Sequence, residues 1–327
     1  VEASDSYWRM VQPARYLNTS RFNVDISSKE IIYDYLMSYD TIVCQRINRW
    51  DQFYVLEKLK KAGKKIVYDL DDNIFDIPES NPAYRAFGND EKQAARAIMG
   101  LADVIVTPSE VIKNTFGYED KTLIFPNAID PTDGWNTDKN ILSPDNLRRI
   151  YWTGSATHEE DWEECIFAVD RILKKYRHVR LLILGFLPQC VLSYMNDVNR
   201  PWWKDKVEYS KFMSTETYIA MMKHIRADVA IAPLKDNRFN ACKSCVKYVE
   251  YTMTGIPVVA SNVTPYKEPI NHAINGLLAK DEDEWFSHIE ALVSDQEFGK
   301  TLVRNARTTV GSGFDIRKEV KKLEAVL

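Results

Sequence analysis

Between Asp236 and Ala260 the chain reads as a polar loop, a helix expected from about Cys242, a stop at Gly255 and a buried strand. A helix that begins after a strand turns unsatisfied N–H groups and a positive dipole end toward the carboxyl edge of its sheet. Such an end takes phosphate readily. Lys243 adds a cation there and Ser244 a hydroxyl, with Lys247 and then the carboxylate of Glu250 further along. The same spacing also makes an ordinary surface helix with a Lys–Glu pair at i, i+3.

A second group is the acidic run Tyr68-Asp-Leu-Asp-Asp-Asn73, which ends an apolar stretch. Asp69 and Asp71 there suit either loop capping or the handling of a polar substrate, by orienting it or taking its proton. Tyr151-Trp-Thr-Gly-Ser-Ala-Thr-His158 puts Gly154, Ser155 and His158 in a loop after another strand. All five histidines, 158, 178, 224, 272 and 288, lie in the second half. Cys242-Lys-Ser-Cys245 sits where helix-start thiols become acidic, yet no second pair or histidine spacing completes a metal site. Small residues packing at a crowded turn are expected instead, and no metal. Trp202-Trp203 suits sugar stacking or core packing.

Elements of an α/β protein must hold these groups. Apolar runs predict strands at 41–44, 66–70, 103–107, 122–125, 150–153, 180–184, 207–209, 228–233 and 257–260, several uninterrupted as in sheets covered on both faces. Thr107-Pro-Ser-Glu110 and Thr157-His-Glu-Glu160 read as capping boxes. Behind the second, Trp162, Cys165, Ile166, Val169, Ile172 and Leu173 form one apolar stripe. Asp281 to Glu284 opens a helix with an acidic first turn. Asn127–Asp145, rich in Pro, Asp and Asn without apolar period, reads as a linker. A Rossmann-like domain opens on a buried strand, but only Val1-Glu-Ala3 precedes the polar Ser4-Asp-Ser-Tyr7. That first strand is expected to be very short or to lie upstream.

The 327 residues suit two domains. With 45% hydrophobic and 28% charged residues the composition is globular, and the net charge of -4 argues against a dedicated nucleic-acid binder. No apolar run reaches a membrane span, no charged-then-apolar leader opens the chain, and five unevenly spaced cysteines fit a reducing cytoplasm. That composition is also compatible with attachment at the inner face of a membrane.

Glu250 followed by Gly255-Ile-Pro-Val-Val259 resembles the signature of the group 1 glycosyltransferases (glycosyltransferase family 4), retaining enzymes of the GT-B fold. Ala102–Ser109, Ile124-Phe-Pro-Asn-Ala-Ile-Asp130 and Asn275-Gly-Leu-Leu278 resemble further segments of that family. The resemblance implies two Rossmann-like domains facing across a cleft: residues 1–135 on the acceptor side, 148–311 binding the nucleotide sugar, and a final helix at 312–327 crossing back to the first domain. It implies a donor contacted by Gly154, Ser155, His158, Lys243, Ser244, Lys247 and Glu250, the last on the ribose. Catalysis would fall to Lys243 with Asp69 or Asp71, the acceptor would be a glycan or lipid-linked sugar, and no cofactor is required. Two departures stand out. Cys242 replaces the family's first Glu, and Ser155 replaces its Arg, as in a divergent branch found with surface-polysaccharide enzymes.

Two rival readings come from other classes. Val67–Asp76 resembles motif one of the haloacid-dehalogenase-like phosphatases, with Asp69 as nucleophile, Asp71 as acid/base and Thr107 as the second motif's hydroxyl, although Asn73 stands where Thr is usual. A transferase fold that has lost turnover would be a nucleotide-sugar or glycan-binding module.

Overall fold

The computed structural model describes residues 6–19, 21–28, 31–135, 146–211 and 214–327. They form two compact units. One comprises Val1–Asp130, Cys242–Ser244 and Phe314–Leu327, the other Pro131–Ala241 and Cys245–Gly313.

The first unit holds β1 (Thr41–Gln45), β2 (Lys65–Asp69), β3 (Val104–Thr107) and β4 (Thr122–Ile124), all parallel and in sequential order. Ile66, Val67 and Tyr68 are fully buried, as a strand covered on both faces requires. The helix Ile316–Glu324 belongs to this unit, its Ile316, Val320 and Leu323 packing with Leu17, Val67, Val106 and Phe125. Asp315 caps that helix, and Ile129 exchanges backbone hydrogen bonds with Phe314 and Ile316 beside it.

The second unit holds β5 (Arg148–Gly154), β6 (Val179–Gly185), β7 (Val207–Lys211), β8 (Val229–Ala232), β9 (Val258–Ser261) and β10 (Leu277–Ala279). All neighbours are parallel, in the order β10-β9-β8-β5-β6-β7. The chain therefore runs outward from β5 in one direction and returns to β8 on its other side. The apolar stripe expected behind Thr157 is buried in full: Trp162, Cys165, Ile166, Val169, Ile172 and Leu173 all join this unit's core.

Each predicted strand is present to within two residues at its ends, and β10, absent from the predicted strands, is additional. A three-residue edge strand has too few side chains to show a period. The helix starts moved more. Ser109, not Thr107, caps Glu110–Thr115 by accepting from Ile112 N, because Pro108 lies before the cap rather than inside the helix. Thr157–Glu160 forms no capping box. Two short 3₁₀ turns, Ala156–His158 and Glu160–Glu164, precede the helix Ile166–Lys175. Asp281 does cap its helix, accepting from Glu284 N. The helix expected from about Cys242 begins only at Val246 (Val246–Met253), and a short helix, Arg238–Ala241, forms in the stretch read as a loop. Most of the predicted linker, residues 136–145, and the Val1–Ala3 strand segment lie outside the described residues.

Two glycines end neighbouring strands in register, Gly154 opposite Gly185. Gly185 has φ +100°, and a Cβ there would stand 2.6 Å from the Gly154 carbonyl oxygen. Gly185→Ala is expected to cost about 1–3 kcal/mol, since strain and overlap act together. Urea unfolding of the two proteins measures it, and equal midpoints would refute the packing argument.

Candidate functional site at the switch point of the second sheet

In an open parallel sheet, ligands bind outside the carboxyl ends of the strands where the order reverses. Here that point lies between β5 and β8, which pair through Ile150–Val229 and Tyr151–Ala230. Nothing equivalent occurs among the described strands of the first unit, whose order is sequential.

The segment after β5 carries Gly154, Ser155 and His158. Gly154 leaves no room for a side chain, because its Cβ would approach the Trp152 ring to 2.6 Å. Ser155 Oγ and Thr157 Oγ1 lie 2.8 Å apart. His158 Nδ1 is 2.7 Å from Asp161 Oδ2, and its Nε2 is 2.9 Å from Lys247 Nζ. Asp161 Oδ1 accepts from Lys235 N and from Asn240 Nδ2, both at 2.9 Å in the segment after β8. One buried carboxylate thus joins the two sides of the switch point. Burial alone would raise the Asp161 carboxyl, but the hydrogen bonds from His158 and Lys235 N and the nearby Lys247 charge outweigh it and hold the group below its ordinary value.

Lys247 and Glu250 project from Val246–Met253, and both are buried. Tyr251 on the same helix accepts at its hydroxyl from Thr153 N, 3.2 Å away, which fastens the helix to the end of β5. Glu250 Oε2 accepts from the Tyr218 hydroxyl at 2.7 Å. Burial and then the Glu250 charge push the Tyr218 phenol well above its ordinary range, so it remains a donor. The site therefore offers an ammonium, an imidazole and an anchored carboxylate at the mouth of one sheet.

Lys243 and Ser244 fall before the helix, in the Cys242–Ser244 stretch that groups with the first unit. Lys243 Nζ is 3.5 Å from Asp72 Oδ2, and Ser244 Oγ accepts from Asn127 Nδ2 at 2.9 Å. The acidic run divides in two. Asp69 is 2% exposed, with both oxygens on the Arg9 guanidinium and the closest contact at 2.6 Å. Burial pushes its carboxyl up while Arg9 opposes the shift. Asp71 instead pairs with Arg46 Nε at 3.1 Å. An Asp69 occupied in this way is poorly placed to attack phosphorus, as the phosphatase reading needs. Burial also raises both thiols of the Cys-x-x-Cys, Cys245 to about 12, contrary to the acidic shift a helix start would give. Both indoles of Trp202-Trp203 donate to Asp170 Oδ1, and Trp203 is fully buried, so the pair serves packing.

Residues 148–295 match the family model of the glycosyl transferases group 1. The second unit carries a group 1 domain. That domain spans all six strands of the second sheet and every switch-point residue above. An uncharacterized glycosyltransferase of Methanocaldococcus jannaschii is 26% identical over 204 residues, 59% of this chain and 50% of that protein. The chain thus matches half the length of that relative. Among solved structures, HepE of Anabaena in complex with UDP-glucose superposes with TM-score 0.67 at 18% identity, covering 90% of this chain and 81% of that one. Sucrose-phosphate synthase of Thermosynechococcus elongatus gives TM-score 0.65 at 14% identity over 90% and 74%. These likenesses show the fold, two parallel-sheet α/β domains of the GT-B kind.

Three polar members of the group 1 domain's site escaped sequence reasoning: Asp161, Tyr218 and Asn240. Asp161 was hidden in a presumed helix start, and Tyr218 lies on the helix Thr215–Met222, whose pattern marks no functional face. Asn240 alone carried a signal, a polar residue soon after a buried strand at the carboxyl edge.

Proposed function

We propose that the chain is a glycosyltransferase that moves a sugar from a nucleoside-diphosphate donor to a glycan or lipid-linked acceptor, with retention and without an obligatory metal. The observation that carries this reading is the meeting of Lys247, His158 and Glu250 at the switch point of a group 1 domain. Glu250, held by Tyr218, suits the ribose hydroxyls, since an ionised carboxylate accepts more strongly than an amide. Lys247 and the turn after Gly154 suit the diphosphate, whose charge grows as the glycosidic bond breaks. Lys243 is a further cation for that charge, and Asp71 a carboxylate for the sugar or acceptor, Asp69 being engaged by Arg9. HepE, of the same fold, was solved with UDP-glucose, which makes UDP-sugars the first donors to try.

A screen of nucleotide sugars, read by nucleotide released with and without chelator, tests the proposal. Release from at least one sugar nucleotide, surviving chelation, is the expected result. Magnesium-dependent cleavage of simple phosphomonoesters, with no sugar nucleotide turned over, would replace it by the phosphatase reading. Binding of sugar nucleotides without turnover to any acceptor would leave a binding module.

Within this reading, Glu250→Gln is expected to weaken UDP binding by about tenfold, the loss of one charge-assisted hydrogen bond at roughly 1.5 kcal/mol. Calorimetric titration decides the point, and an unchanged dissociation constant would remove Glu250 from the ribose.

A further inference from the structure

The ring of His158 lies between a lysine and an aspartate, and that geometry dictates its protonation. Lys247 brings an ammonium, which only donates, to Nε2 at 2.9 Å. Asp161 brings a carboxylate, which only accepts, to Nδ1 at 2.7 Å. The arrangement is satisfied by one state of the ring, a neutral imidazole with its proton on Nδ1. The charges then alternate from Lys247 through a neutral ring to Asp161, and each buried charge faces a complementary group. Asp161 itself cannot rotate away, because its other oxygen accepts from Lys235 N and Asn240 Nδ2.

We propose that Asp161 is a positioning residue of the donor site: by fixing the Nδ1–H tautomer of His158, it makes Nε2 the acceptor that holds the Lys247 ammonium in place. This inference rests on the nucleotide-sugar reading only for the ligand that Lys247 meets. Its physical consequence is specific. In Asp161→Asn the amide oxygen keeps the two donors from Lys235 and Asn240, so the amide NH₂ turns toward His158. Nδ1 must then accept, the proton moves to Nε2, and an N–H confronts the lysine ammonium. Lys247 loses the imidazole acceptor although neither it nor the histidine has been changed.

The test has one arm without ligand and one with UDP as probe. Nitrogen-15 NMR of the ligand-free protein, with the His158 signals assigned by their loss in His158→Gln, reads the tautomer directly. The proton is expected on Nδ1 in the wild type and on Nε2 in Asp161→Asn. Calorimetry is expected to show UDP bound about tenfold more weakly by Asp161→Asn, a single lost charged hydrogen bond. In a His158→Gln background, where the amide oxygen accepts from Lys247 without help, Asp161→Asn is expected to change UDP affinity by less than about twofold. An unchanged tautomer, a changed tautomer with unchanged affinity, or a full effect persisting in the His158→Gln background would each overturn the proposal. Should Asp161→Asn not fold, His158→Gln is compared with His158→Phe. Retained affinity in the first and loss of about tenfold in the second supports the hold on Lys247, and equal affinities overturn it. A wild type that shows the expected tautomers but binds no UDP would instead remove the nucleotide reading and leave the tautomer assignment standing.

Discussion

Replacing Lys247 by alanine is expected to lower kcat/KM for the matching sugar nucleotide by about 10- to 150-fold, the equivalent of roughly 1.5–3 kcal/mol for a charged hydrogen bond. The ammonium is buried, 2.9 Å from His158 Nε2 and 5.9 Å from the centre of the Trp152 ring, so little water screens it. It stands on the first turn of Val246–Met253, where the helix dipole also favours an anion. In the proposed reaction the departing diphosphate would gain charge in the transition state, so turnover should fall further than affinity for the bound nucleotide. Steady-state kinetics beside UDP titration separates the two. Equal losses in affinity and kcat/KM would mean that Lys247 binds donor and transition state alike. No loss in either would place the diphosphate elsewhere.

The second large effect concerns stability. Arg9→Ala is expected to destabilise the first unit by about 3–5 kcal/mol, because it leaves a buried carboxylate without its partner. Arg9 is fully enclosed and holds both oxygens of Asp69, the carbonyl of Phe125 and, at 3.2 Å, Asn127 Oδ1. Its guanidinium also lies over the Phe125 ring, 5.1 Å from the centre. One side chain therefore ties the segment before the sheet to the ends of β2 and β4. Equilibrium urea unfolding of the two proteins measures the loss. Arg9→Met combined with Asp69→Leu should lose much less, since no unpaired charge remains. A single variant as stable as the wild type would show that Asp69 finds another partner.

That pair also marks where reading the chain linearly stops. Asp69 ends a recognisably buried strand, and from that position a carboxylate at the sheet's carboxyl edge looked available for chemistry. Its partner lies 60 residues earlier, in a segment without any strand or motif. Pairing across such a distance leaves no local trace. Lys243 shows the same limit at shorter range. Its neighbours suggested the first turn of a helix, but the helix begins at Val246. Cys-Lys-Ser-Cys carries no strong local preference, so tertiary packing decided where the turn would fall.

What sequence alone determined is the alternation of strands and helices. Ile66-Val67-Tyr68 and Val229-Ala-Ile-Ala232 are long enough apolar runs to require cover on both faces, whatever the rest of the chain does. Gly255-Ile-Pro-Val-Val259 with Glu250 likewise identified the helix-to-strand unit on which the site is built. Tertiary structure alone decided the strand order, and with it the switch point between β5 and β8. It alone brought Asp161, Asn240, His158 and Lys247 together from segments after two different strands. The physical reason is that periodicity records only which face of an element is buried. Which strands become neighbours, and which side chains then share a hydrogen bond, depends on contacts between residues far apart in the chain.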